Sequence, residues 1–130
     1  MTQLHRYAVL HHTGFEEPHY DVLIEREPGG PLASWRAPAW PLNEGMRLLP
    51  RPDHRRLYLD YEGEVSGGRG QVRRVAGGTC DVTFGGRLVE IAFARPRLLD
   101  VPDVFLLLRD DTSWSVHLSE AHPGSCAAMR

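Results

Sequence analysis

Lysine is missing from this sequence. All fifteen basic side chains are arginines, they face seventeen acidic ones, and the formal net charge is −2 with histidine neutral. That balance excludes a protein held to nucleic acid by bulk positive charge, while a local basic groove is compatible with it. Each cation is also a planar fork, shaped for phosphate or carboxylate. Cysteine is scarce: Cys80 and Cys126 stand far apart with no CxxC, which disfavours a zinc knuckle or a disulfide framework. No apolar run reaches the roughly 18 residues of a membrane-spanning helix. The opening MTQLHRYAVLHH lacks the parts of a secretory signal. A soluble cytoplasmic protein with no membrane partner is therefore expected. At 130 residues the chain has room for one core.

What the sequence has in excess is punctuation. Thirteen glycines and ten prolines break it into short segments, the pattern of many short strands joined by turns. Strands are read over Leu4–Leu10, His19–Arg26, Leu32–Arg36, Leu57–Glu62, Gln71–Val75, Thr79–Phe84, Arg87–Phe93, Val104–Arg109 and Trp114–Leu118. Pro38 and Pro41 interrupt regular structure around Trp40. Asn43–Leu49 is read as one helical turn, capped by Asn43 and stopped by Pro50 and Pro52. Ala76-Gly77-Gly78 is read as the turn of a hairpin. The expected fold is all-β, an antiparallel β-barrel of about eight short strands with a polar central cavity and minimal helix, because closure removes exposed edges. One domain covers 1–118, and 119–130 reads as a loose C-terminal tail.

Alternation along strands picks out the chemistry. In the second strand His19, Asp21, Leu23 and Glu25 share one face, against Tyr20, Val22 and Ile24 on the other. In Leu57–Glu62, read as a strand, Tyr58, Asp60 and Glu62 likewise share a face. Polar stripes on two strands of so small a domain point to a polar cavity. His19-x-Asp21 with one further histidine is the set that binds Fe(II), Mn(II) or Zn(II) and leaves positions open. His11, His12, His54 and His117 are the candidates for that third ligand. Adjacent His11 and His12 point to opposite faces, so one of them at most faces the site. Ser66-Gly67-Gly68-Arg69-Gly70 offers backbone N–H groups to an anion, but it is not a P-loop, which needs Lys-[Ser/Thr] and a following helix.

Four stretches together resemble a known family: Arg6-Tyr7-Ala8-Val9 up to His12, His19-Tyr20-Asp21, Ala33-Ser34-Trp35-Arg36-Ala37-Pro38, and Asp53-His54 through Tyr58-Leu59-Asp60-Tyr61-Glu62-Gly63. In order and nearly in spacing they are similar to the 3′-phosphoesterase domain of bacterial DNA ligase D, over most of the chain and more weakly after about Val75. The resemblance implies a β-barrel that removes a 3′-terminal ribonucleotide, and then a 3′-phosphate, from DNA ends with Mn(II) or another divalent ion. It implies His12, His19 and Asp21 as metal ligands. It implies His54 as a catalytic, phosphate-facing histidine, Tyr58 as a residue beside it, and Arg47 as a catalytic, phosphate-binding arginine. DNA 3′ ends would be the partner, and a ligase or polymerase a non-covalent one. Two departures stand out. Leu23 occupies the position where the family carries a phosphate-binding arginine, so Arg69 or Arg47 is expected to substitute for it. The loop from His12 to His19 is one residue longer than usual.

Other readings stay open on the residues. A degenerate, non-catalytic module would bind nucleic-acid ends or a phosphorylated ligand without turnover. A small Fe(II) oxygenase would use His19, Asp21 and a distal His117. An interaction domain would use Trp35, Trp40 and Trp114, although each tryptophan is expected in packing. Cys80 is expected as a small buried hydrophobe.

Overall fold

The structure, a computed structural model, describes residues 3–93 and 103–120. Nine strands run in chain order: β1 His5–Thr13, β2 His19–Glu25, β3 Leu32–Ala37, β4 Arg47–His54, β5 Gly63–Glu64, β6 Gln71–Phe84, β7 Leu88–Phe93, β8 Asp103–Asp110 and β9 Ser113–Glu120. One 3-10 turn, Arg56–Leu59, lies between β4 and β5. The hydrogen-bonded order is β1-β2-β3-β4-β9-β8-β7-β6, and β6 returns to β1. Eight strands thus close an antiparallel barrel, with the two-residue β5 attached to β6. This is the expected architecture, and closure leaves those strands without a free edge except along β4 beyond Leu48, where pairing with β9 stops. No helix among the described residues is long and apolar enough to cross a membrane. β9 runs to Glu120, two residues beyond the strand read from sequence; the rest of the expected tail, including Cys126, lies outside the described residues.

All eight barrel strands send side chains into one apolar cluster, which includes Val9, Val22, Trp35, Leu48, Cys80, Ile91, Leu107 and Val116. That cluster fills the lumen. The central cavity expected to be polar is therefore packed with hydrocarbon. Trp35 lies edge-on to Trp114 with centroids 5.9 Å apart, and Trp40 edge-on to Phe93 at 5.9 Å, so all three tryptophans serve packing. Cys80 is buried there, and burial pushes its thiol up to about 12, as suits a hydrophobe rather than a nucleophile.

A second, smaller cluster covers the outer face of the wall: Ala8, Leu10, Leu23, Leu32, Leu59, Val65 and Val72. β1, β2 and β3 feed both clusters by alternation, whereas β6 does so through a bulge. Val9 pairs with Ala76 but Leu10 with Arg74, leaving Val75 extra. The slip turns Val72 outward while Cys80 and Val82 point inward, because a strand's faces alternate and one extra residue exchanges them.

Three local readings are corrected by this arrangement. Ala76-Gly77-Gly78 is not a hairpin turn but the middle of the fourteen-residue β6, because β1 needs a partner along its whole length. Asn43–Leu49 is not helical. Gly45 turns the chain at φ +82°, its N–H bonds to Val116 O at 2.7 Å, and Leu48 enters the lumen as part of β4. Pro50 and Pro52 are tolerated because β4 pairs with β9 only at Arg47 and Leu48, leaving no ladder on that edge beside them. Leu57–Glu62 begins as the 3-10 turn, held by Tyr58 N–H to Arg55 O at 3.1 Å and Asp60 N–H to Leu57 O at 3.2 Å. Its alternation imitates a strand, but Leu59 is buried while Leu57 is exposed.

Candidate metal centre

The outer face of β1 and β2 carries the site. Registers place His12 opposite His19, and Leu10 opposite Asp21. Alternation therefore puts His12, His19 and Asp21 on the face away from the lumen, next to Leu10 and Leu23. His11 goes to the other face and stacks on Tyr20 with centroids 4.5 Å apart. The three groups line a groove of about 370 Å³ with Phe15, Arg36, Arg51, Asp53, His54, Arg55, Tyr58, Val65, Arg69 and Val72. His19 and Asp21 are buried, and one ligand atom from each of the three lies within 4.8 Å of the others.

Hydrogen bonds fix the ring orientations. His19 Nδ1 is 2.8 Å from Glu17 O, and His12 Nε2 is 2.6 Å from Arg69 O. A carbonyl only accepts, so each of those nitrogens carries the proton and donates it. In the neutral ring the other nitrogen is then a bare lone pair. His19 Nε2 lies 3.4 Å from Asp21 Oδ1, and His12 Nδ1 lies 3.5 Å from Asp21 Oδ2. His19 Nε2 is buried with no hydrogen-bond partner. With both rings neutral, two imidazole lone pairs and a carboxylate converge. That arrangement is repulsive alone, and either a proton on one ring or a bound cation relieves it. Two nitrogens and an oxygen, each imidazole oriented by a backbone carbonyl, fit a divalent transition ion.

Glycine makes the carbonyl on His12 possible. Gly70 has φ +79°, and a Cβ there would stand 2.1 Å from Thr13 O. Only glycine lets the 65–70 turn approach β1 closely enough to bring Arg69 O to His12. The Arg69 side chain curls back to its own turn, donating from Nε to Ser66 O at 2.7 Å and from Nη2 to Ser66 Oγ at 3.2 Å. Its carbonyl, rather than its guanidinium, touches a site residue.

His54 reaches the groove through a second bulge. Ser34 pairs with Arg51, but Leu32 pairs with His54, so β4 carries an extra residue there. The shift turns His54 to the outer face, as bulges commonly re-aim side chains. His54 Nδ1–H donates to Pro52 O at 3.1 Å, and the ring lies edge-on to Tyr58 at 5.6 Å. Both residues line the groove. Asp53 is neutralised: Arg26 grips it with Nε at 2.8 Å and Nη2 at 2.9 Å, which holds its carboxyl below the ordinary range.

Arg47 is not among the groove residues. It sits at the opposite end of β4, paired with Ser115 on β9, and donates to Ser113 Oγ at 2.6 Å. His117 lies on β9 as well, bonded to Ser115 and Glu44, so it is not a third ligand. Arg36, Arg51, Arg55 and Phe15 were missed in the sequence reading. The β2–β3 hairpin closes with Arg26 N–H to Pro31 O at 2.9 Å. Counting back from that closure sets Arg36 opposite Asp21, so its place could have been found from the turn alone.

No protein-family model matches the chain, and no curated protein matches it.

Proposed function

We propose that this protein is a metal-dependent phosphoesterase acting on 3′-ribonucleotide or 3′-phosphate ends of DNA, with Mn(II) as its ion. The observation that carries the reading is the convergence of His12, His19 and Asp21 beside a groove lined by four arginines. When bound, the ion would polarise a phosphate oxygen and offset its charge. The chain supplies the rest. His12 and His19 offer nitrogens already oriented by the Arg69 and Glu17 carbonyls. His54 has Nδ1–H committed to Pro52, so Nε2 is the nitrogen left to give or take a proton at a bound ester. Tyr58, beside it, offers a hydroxyl donor. The resemblance in sequence to the phosphoesterase domain of DNA ligase D supports the same residues, Arg47 excepted. Cytoplasmic residence and a non-covalent ligase or polymerase partner belong to the same proposal.

The test is digestion of a primer-template bearing one 3′-terminal ribonucleotide, or a 3′-phosphate, with and without Mn(II). Metal-dependent product that disappears in His19→Ala and His54→Ala is the expected result. Product that survives either substitution refutes the site. A second reading has one specific observation behind it: Leu23, at the position of the family's arginine, is wholly buried. A non-catalytic module binding phosphorylated ends would take up Mn(II) and the labelled end and release nothing.

A further inference from the structure

The phosphoesterase reading leaves one gap, because the second strand carries Leu23 where an arginine would reach a phosphate. Leu23 is enclosed by Ala8, Leu10, Leu32 and Leu59, so that spot on the wall is sealed under the 3-10 turn. A charged head there would be desolvated without a partner.

We propose that Arg36 and Arg51, on β3 and β4, form the phosphate clamp of this groove. The proposal rests on the phosphoesterase reading and deepens it. Arg36 is the cross-strand partner of Asp21, so its side chain leaves the wall on the same face and beside the metal ligand. Arg51 pairs with Ser34, and Ser34 with Leu23, so Arg51 stands in the row of Leu23 two strands over, roughly 10 Å away. Both line the groove. Three other arginines near the groove are engaged, Arg26 on Asp53, Arg56 on Glu25 and Arg69 on Ser66, while Arg55 also lines the groove but sits on the turn after β4 rather than in the rows of Asp21 and Leu23. Among the described residues Arg51 has no carboxylate partner. Arg36 has one, Glu16 at 3.2 Å from Nη1, while its buried Nε has no hydrogen-bond partner. Two forked guanidinia beside one divalent ion suit a phosphate with several free oxygens, as at a 3′-phosphate end.

The experiment is calorimetric titration of inorganic phosphate, then of a 3′-phosphorylated oligonucleotide, into the Mn(II)-loaded chain, with Mn(II) affinity measured separately for each variant. Arg36→Gln and Arg51→Gln are each expected to weaken phosphate binding about tenfold or more while Mn(II) affinity holds. Arg51 is exposed, so its variant reports without risk to the fold. Replacement by lysine restores charge without the fork and is expected to recover part of the loss. Wild-type protein that binds Mn(II) and phosphate, with both glutamine variants unchanged, overturns the clamp alone. Loss at Arg47→Gln instead assigns the anion elsewhere and also overturns it. Wild-type protein that binds Mn(II) but no phosphate overturns the clamp and the phosphoesterase reading together.

Discussion

The two faces of β1 and β2 are built from the same strands and do opposite work. Inward, Tyr7, Val9, Val22 and Ile24 join the packed lumen. Outward, the same strands carry Leu10 and Leu23 and then, towards one end, His12, His19 and Asp21. Hydrocarbon in the lumen stabilises the barrel at little electrostatic cost. The outer groove buries His19 and Asp21, which costs stability and is retained where a site needs it. A polar stripe on a barrel strand therefore need not open into the lumen. It can face outward and be roofed by a short segment, here Arg56–Leu59 and Val65.

That contrast can be broken from either side. The largest effect is expected at the ligands: His19→Ala should abolish Mn(II) binding and lower turnover by about 10²-fold or more, read by metal titration and end digestion. A truncation in the lumen should do the reverse. Leu107 is fully buried, so Leu107→Ala should cost about 2–5 kcal/mol in urea unfolding while the folded fraction keeps its Mn(II) affinity. Gly70→Ala addresses the link between turn and site. Displacing the Arg69 carbonyl should reduce Mn(II) affinity by about 10–100-fold, and an unchanged affinity would deny that carbonyl its orienting role.

The smallest effect concerns acid. Glu25 is buried, which alone raises its pKa, but donors from the Arg6 and Gly29 amides and from Arg56 outweigh burial and hold it below its ordinary value. The unfolded chain then binds more protons than the folded one as pH falls through that range. Stability is thus full above the ordinary value of 4.5 and declines as pH drops towards the folded value. Urea midpoints against pH should show this decline, and Glu25→Gln should flatten it.

Much of this was legible in the sequence, for definite reasons. Period-two alternation in His19–Glu25 fixed which side chains share a face, and it brought His19 and Asp21 together correctly. Glycine and proline spacing pointed to a barrel of about eight strands, although the number agrees through offsetting errors: β6 was split at Gly77-Gly78, Leu57–Glu62 was counted as a strand, and β4 was not read as one. What failed were places where tertiary pairing overrode local signals. Gly77 and Gly78 look like a turn, yet they lie in a strand because β1 runs beside them. Leu57 and Leu59 alternate like a strand, yet i→i+3 bonds separate their fates. Arg47 was assigned by resemblance, but it lies at the β9 end of β4, while Arg51, four residues along the same face, lies at the groove. Bulges change faces without leaving a mark in composition, which is why His54 could be named but not oriented.

The central claim is that the outer groove holds a divalent ion, and Asp21→Asn tests it most directly. Mn(II) titration followed by electron paramagnetic resonance, with thermal unfolding of the metal-free protein alongside, gives both readouts. The account predicts that wild-type protein takes up one Mn(II) and the variant none. It also predicts, at a pH where both imidazoles are neutral, a melting temperature for the metal-free variant equal to or above wild type, because a carboxylate facing two lone pairs has been removed. Equal Mn(II) uptake by both proteins, or a variant that loses stability because His12, Asp21 and His19 were structural ion pairs, would contradict it.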